Sequence, residues 1–306
     1  MNHLLWQGRS ALNNEPIALI SKTSGNKKVK GKRSNILALA VIPMATIDAI
    51  KRDEAKRPDA TPIQRSKVYL ASMKSGAIDS ACDDACEHKL TRKCYAQFNA
   101  QSVTEPVSMI LGVNDFGRGR HHFMGRNGWK LSPKKLASAL GYGAGDKFRL
   151  MIVGSTGALP EHISARLING LESLGMRPLA YVENWRTRQD LRDSHMASCY
   201  SLADVREAES LGWRAFWSPS AEDIGNTIPD GMLLCPGSKY YENLKGKRIG
   251  CGDCGLCDGA SNKSSIINIR HGNGDSSRVS GLVRRGALSS MILNNSGRAM
   301  GAYVGA

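Results

Sequence analysis

Residues 148–182 read FRLMIVGSTGALPEHISARLINGLESLGMRPLAYV, and the change of period along them decides the fold class. Phe148–Val153 is a short continuous apolar run, as expected of a strand covered on both faces. From Pro160 to Leu174, Ile163, Leu167, Ile168, Leu171 and Leu174 recur at helical spacing, and Gly175 ends the segment. Leu179–Val182 is a second strand. Toward the C-terminus the alternation continues with a short helix over Trp185–Arg192, a strand over Met196–Tyr200 and a helix over Leu202–Leu211 stopped by Gly212. Strands follow over Arg214–Trp217, Gly231–Cys235 and Ile266–Ile269. Toward the N-terminus stand a strand over Pro16–Lys22, an aliphatic run Ile36–Ile42 that suits a buried strand or the start of a helix, and a helix over Ala45–Arg57. Ser132-Pro133 opens a further helix over Lys134–Leu140, with proline at its first position. Strands alternating with helices predict an α/β fold, either a parallel sheet or a partial (β/α) barrel. Ligands in such folds gather at the carboxyl ends of the strands. That nominates the loops Gly154-Ser155-Thr156-Gly157 and Glu183-Asn184, for which a plain βα turn is the alternative.

The 306 residues divide into an N-terminal segment with a basic turn (1–75), an α/β core carrying the cysteines (76–272) and a Gly/Ser/Arg-rich tail (273–306) expected to be mobile or to bind a partner. With 41% hydrophobic and 23% charged residues the chain is globular in composition, which excludes a wholly disordered protein. The longest apolar candidate, Ile36–Ile50, contains Pro43 and Asp48, so no membrane span is expected. The N-terminus lacks the charged and apolar regions of a signal peptide. A cytoplasmic protein is the expectation.

Lys plus Arg number 42 and Asp plus Glu 27, a net charge of +15. Such an excess favours a polyanionic partner, nucleic acid before an anionic membrane surface. It is concentrated in two places. Lys22–Arg33, including Lys27, Lys28 and Lys30, holds six basic residues and no acidic one. Val113–Lys135 holds six against Asp115, and there Arg118, Arg120, Arg126 and Lys130 interleave with Phe116, Phe123 and Trp129. Cations hold phosphates while aromatic rings stack on bases, a pattern suited to single-stranded nucleic acid; a solvated basic face is the alternative. His121-His122 in that loop read as a paired-His metal site or as part of a solvated, nucleic-acid-facing loop.

The eight cysteines fall at 82, 86, 94, 199, 235, 251, 254 and 257. Clustered cysteines in a chain without an export signal point to metal rather than disulfides. Cys235-x15-Cys251-x2-Cys254-x2-Cys257 offers four thiolates, a complete set for tetrahedral Zn or an Fe–S cluster, and the spacing leaves both open. Cys82-x3-Cys86-x7-Cys94 offers three, which leaves one coordination position open; His88 is a possible fourth ligand or a surface residue. Cys199, in an apolar strand, reads as a core thiol. His271, beside Gly272, is either a site residue or a structural one.

Together these motifs resemble a family of phage and plasmid cysteine-motif proteins. The resemblance runs from Ser24-Gly25-Asn26-Lys27-Lys28 through Cys82, Cys86, Cys94 and Tyr95 to Cys235-Pro236, Cys251, Cys254, Cys257 and His271-Gly272. That family is in turn similar to radical-SAM proteins. The resemblance implies a radical-SAM-like fold with cysteine-rich metal-binding loops. Cys82, Cys86 and Cys94 would hold an Fe–S cluster that binds S-adenosylmethionine, whose reductive cleavage starts the chemistry. Tyr95 would lie near its adenine, and Gly154-Ser155 near its methionine part. Cys235, Cys251, Cys254 and Cys257 would hold an auxiliary cluster. The second cysteine gap is seven residues, where the radical-SAM motif has two, and Met151 and Gly154-Ser155 stand where relatives carry His and Gly-Asp. The sequence therefore supports two functions: a metalloprotein of radical-SAM type associated with nucleic acid, or a non-enzymatic zinc-stabilised nucleic-acid-binding protein of a mobile element, serving replication or packaging.

Overall fold

A computed structural model describes residues 2–23, 35–90, 103–113, 128–219, 223–224, 228–259 and 264–269. Its strands are β1 (Asn2–Arg9), β2 (Pro16–Thr23), β3 (Ile36–Pro43), β4 (Lys147–Leu150), β5 (Arg177–Val182), β6 (Met196–Cys199), β7 (Ala215–Trp217), β8 (Leu233–Leu234) and β9 (Ile266–Ile267). They make one open sheet in the order β1-β2-β3-β4-β5-β6-β7-β9-β8. The first three strands are antiparallel, and every pairing from β3 onward is parallel. The sheet crosses the boundary at residue 75, because β3 pairs with β4.

β3 explains why the alternation of the sequence is interrupted. All eight of its residues are buried, since helices cover both faces at that point, and a doubly covered strand reads as an unbroken apolar run. On one face, Leu37, Leu39 and Val41 join Phe148, Ala180, Ala197, Ala215 and Ile267 in a core closed by helices α5 (Pro133–Ala139), α6 (Glu161–Glu172) and α7 (Leu202–Ser210). On the other face, Ala18, Ile20, Ala40 and Ile42 pack with α1 (Met44–Lys56), α2 (Pro62–Lys74) and α4 (Thr104–Leu111). Among the described residues, that second helical layer stops at β3. Over β5–β7 the same face carries the partly exposed Tyr181, Glu183, Ser198, Tyr200 and Phe216. The short helices α3 (Glu87–Leu90), α8 (Lys239–Lys245) and α9 (Cys251–Cys254) belong to the loops.

Two elements escape a reading by periodicity. β1 is buried on both faces along most of its length, which removes alternation. α2 turns Arg65 into the protein, 1% exposed and paired to Asp53 at 2.6 Å, so a charged residue occupies a core position. One expected helix is corrected. Trp185–Arg192 forms a single 3-10 turn at Gln189–Leu191, because Arg188 leaves the helical region (φ −104, ψ 57) to direct its guanidinium at the neighbouring loop. The strand expected over Phe148–Val153 is regular only to Leu150.

Candidate metal centre

The carboxyl ends of β3, β4, β5 and β6 meet around the segment Ala81–Cys86. The Ser155 amide donates to the Ala81 carbonyl at 2.7 Å. Gly154 makes this approach possible. Its φ is +76, and a methyl group there would stand 2.5 Å from the Val41 carbonyl and 3.2 Å from that of Ala81, so a side chain would be excluded twice over. Ser155 Oγ donates to Glu183 at 3.0 Å and accepts from the Gly157 amide at 3.2 Å. The Asn184 amide donates to Asp83 at 3.2 Å, and the Lys89 ammonium to the Cys82 carbonyl at 3.1 Å. The Tyr200 hydroxyl donates to Cys86 Sγ at 3.6 Å, an arrangement that favours a thiolate.

Burial pushes Glu183 up to about 6; the Ser155 hydrogen bond opposes this and Asp83 adds to it. Burial also raises Tyr200, with Glu183 and Cys86 reinforcing the shift. The Gly154–Leu159 loop is itself braced from below. Arg188, 7% exposed, donates to the carbonyls of Gly157 (3.0 Å) and Leu159 (2.9 Å) and to Ser164 Oγ (3.0 Å). The wholly buried His195 binds Thr156 Oγ1 at 2.9 Å and Ser194 Oγ at 2.8 Å, and desolvation drives its pKa down to about 3.

The second thiol set lies on the same sheet face, between the start of β4 and the end of β8. The Cys257 carbonyl accepts from the Ala180 amide of β5 at 3.3 Å. Cys235 follows β8, its amide bonded to Ile267 of β9 at 2.8 Å. A methyl group on Gly237 would stand 3.7 Å from Cys235 Sγ and 3.9 Å from Cys251 Sγ, so these two sulfurs flank one point. Burial pushes Cys235 up to about 12, with Cys251 and Cys254 adding to the shift. Burial raises Cys257 as well; the Tyr181 hydroxyl opposes this with a hydrogen bond, and Cys235, Cys254 and Cys251 add to it. Tyr181 also packs on Phe216, with ring centroids 4.3 Å apart. Lys147, at the start of β4, donates to the Gly252 carbonyl, and burial lowers its pKa. Arg214 is anchored to Leu256 O, Gly259 O and Ser264 O.

Cys235 and Cys251 thus approach one point, but among the described residues no group of three or more His, Cys, Asp or Glu side chains stands at metal-ligand geometry. By residue type four cysteines are a thiophilic donor set, with a tyrosine donor at Cys257. The N-terminal set fits in part. The Cys82–Cys86 segment lies beside Gly154-Ser155 through the Ser155–Ala81 hydrogen bond, while Cys94 and Tyr95 lie outside the described residues, as does the His88 side chain. Cys199 is 2% exposed in the helix-covered core, as its strand context indicated.

Of the basic residues expected to hold nucleic acid, Lys27, Lys28, Lys30, Arg118, Arg120 and Arg126 lie outside the described residues, with His121, His122, His271 and the tail. Trp129 and Lys130 are described, and both are tied into the fold. Lys130 N–H bonds Leu5 O at 2.8 Å, Trp129 bridges Trp6, and the Arg166 guanidinium lies 5.2 Å over the Trp129 ring. The Trp129 ring is therefore engaged in packing. Tyr181, Tyr200, Lys147 and Arg214 reach the sites through strand register and Arg188 from the turn between β5 and β6, with no motif to announce them.

The fold and these loops define an open α/β sheet protein with thiol-rich segments on its uncovered face. Comparison with the models of known families, with curated proteins and with solved structures yields no match to this chain. No helix among the described residues is long and apolar enough to cross a membrane.

Proposed function

We propose that the chain is a metalloprotein of radical-SAM type that associates with nucleic acid, holding one Fe–S centre on Cys82, Cys86 and Cys94 and a second centre on Cys235, Cys251, Cys254 and Cys257. The observation that carries this reading is the seating of the Cys82–Cys86 segment at the carboxyl ends of β3–β6, hydrogen-bonded to Ser155 and faced by Glu183 and Tyr200. That is where parallel α/β folds bind ligands. The chemistry such a cluster supplies when bound is one-electron reduction of S-adenosylmethionine, and the chain's part is to bind and orient. Ser155 fixes the Glu183 carboxylate, Gly154 admits the loop, and Arg188 with His195 holds the turn in place. Association with nucleic acid is supported by the +15 charge and predicts affinity that falls steeply with salt.

A second reading is favoured by the C-terminal set, whose four thiols are the full number for a structural zinc. In that reading the protein is a zinc-stabilised nucleic-acid binder with no catalysis. Anaerobic purification, with iron, sulfide and zinc measured per chain and an absorption spectrum, separates the two. Brown protein with several irons and matching sulfide supports the first. Colourless protein with one or two zincs supports the second, and protein free of both metals overturns both.

A further inference from the structure

We propose that the open sheet face over β5–β7 is a nucleobase site, where the rings of Tyr181, Tyr200 and Phe216 stack on an unpaired base and Glu183 accepts from the amino group on its edge. The inference rests on the nucleic-acid half of the reading above and is independent of what the cysteines hold.

Parallel register builds the platform. Val182 pairs with Ala197 and Ser198 with Phe216, so Glu183, one residue past Val182, continues a row Glu183–Ser198–Phe216 across three strands. Tyr181 precedes that row by two residues and Tyr200 follows it by two. All five residues are partly exposed. Tyr181 and Phe216 pack with centroids 4.3 Å apart and planes inclined by 46°. Both tyrosine hydroxyls are committed, that of Tyr181 to Cys257 and that of Tyr200 to Cys86 at 3.6 Å. A ring tethered at its hydroxyl is already oriented, so a base that stacks on it loses little affinity to ordering. The polar groups of the row keep capacity for a ligand. Ser155 donates to one Glu183 oxygen at 3.0 Å, and a carboxylate accepts about four hydrogen bonds. The Ser198 carbonyl accepts from Trp185, while among the described residues its hydroxyl bonds nothing.

Aromatic rings beside a carboxylate suit either a planar base with an amino edge or an organic ammonium. Charge decides between them. A chain of net charge +15 attracts a polyanion and repels a free cation, and the base is the one of the two that arrives joined to phosphates. The same face also offers a cation. Phe148 and Leu150 point into the helix-covered core, which puts Arg149 between them on the open side, partly exposed. Its register partner Leu179 stands two residues, about 7 Å, before Tyr181. Stacking by aromatic rings and reading of an amino edge by a carboxylate are how proteins hold single-stranded bases, and the row lies toward the carboxyl ends of parallel strands, where such folds bind ligands.

The experiment measures binding of short single-stranded oligo-dC and oligo-dT to the full-length, anaerobically purified protein at neutral pH over a series of salt concentrations. Phe216→Leu is expected to weaken binding of both strands about tenfold while leaving the salt dependence unchanged, because the ring touches no phosphate. Phe216→Tyr, which keeps a ring, restores most of the affinity. Wild type is expected to prefer oligo-dC, whose bases carry an amino group that thymine lacks, and Glu183→Gln to narrow that preference. Photocrosslinking of wild type to an oligo-dC strand carrying one iodouracil, mapped by mass spectrometry, is expected to mark Tyr181, Tyr200 or Phe216, and it carries the test alone where a variant does not fold. Oligonucleotide affinity in Phe216→Leu within about twofold of wild type, or crosslinks confined to residues off this face, overturns the proposal and leaves nucleic-acid association standing. So does a Phe216→Leu variant that loses affinity for S-adenosylmethionine and keeps it for oligonucleotides, which would assign the face to an organic cation. Wild type that binds neither strand overturns the nucleic-acid reading, and this inference with it.

Discussion

The two cysteine regions share one sheet face and differ in what surrounds them. Around Cys82 and Cys86 stand Asp83, Glu183 held by Ser155, and the Lys89 ammonium on the Cys82 carbonyl. Around Cys235, Cys251, Cys254 and Cys257 stand the buried Lys147 and Arg214, with Asp258 paired to Arg214 at 3.3 Å. Each region has one tyrosine from the open face aimed at one sulfur, Tyr200 at Cys86 and Tyr181 at Cys257. Tyr181 on β5 and Glu183 just past its end are two residues apart, about 7 Å, so the two regions are neighbours. On the proposed reading, the four-cysteine set acts as structure and the set at the strand ends receives the ligand.

The largest effect that tests this contrast is the removal of one thiol from each region. Cys254→Ser is expected to abolish metal at the C-terminal set and to lower the unfolding midpoint by roughly 10 °C or more, because binding energy there is folding energy. Cys86→Ser is expected to remove the metal of its own set while leaving the midpoint within a few degrees of wild type. Calorimetry with metal analysis of both variants checks this, and equal destabilisation by the two would erase the distinction.

A smaller effect comes from Glu183, whose pKa in the folded protein is raised from 4.5 to about 6. A raised carboxyl pKa means that the folded state holds the proton more tightly than the unfolded chain. Its contribution to stability is complete below about pH 4.5 and is lost as pH rises through about 6. At pH 7 the ionised group therefore costs about 1–2 kcal/mol. Glu183→Gln, neutral throughout, is expected to match wild type at pH 4 and to exceed it by that amount at pH 7 in urea titrations. A gap of the same size at both pH values would show that the carboxyl is not the titrating group. Stabilisation on replacement would also mark Glu183 as a residue kept for binding rather than for folding.

Much of this architecture can be read from the sequence. β5, β6, β7 and the helices α6 and α7 follow from periodicity and from the glycines that stop the helices. β1 and α2 do not, since a doubly buried strand and a helix with Arg65 in its core both erase the pattern. The cysteine sets are legible as spacings, and Gly154-Ser155 and Glu183-Asn184 as the ends of strands. Lys147, Tyr181, Tyr200 and Arg214 are illegible one residue at a time, because the register of parallel strands brings them to the sulfurs from sequence positions far away. The extended reading of Trp185–Arg192 as a helix failed for a related reason: Arg188 is committed to the Gly157 and Leu159 carbonyls of a neighbouring loop.

The central claim is that Cys235, Cys251, Cys254 and Cys257 form one metal centre separate from that of Cys82, Cys86 and Cys94. X-ray absorption at the edge of the bound metal, on the full-length variant with Cys82, Cys86 and Cys94 all replaced by Ser, tests it most directly. The account predicts retained metal with a sulfur-only first shell at about 2.3 Å. A first shell dominated by nitrogen or oxygen, or a folded variant that holds no metal, would contradict it.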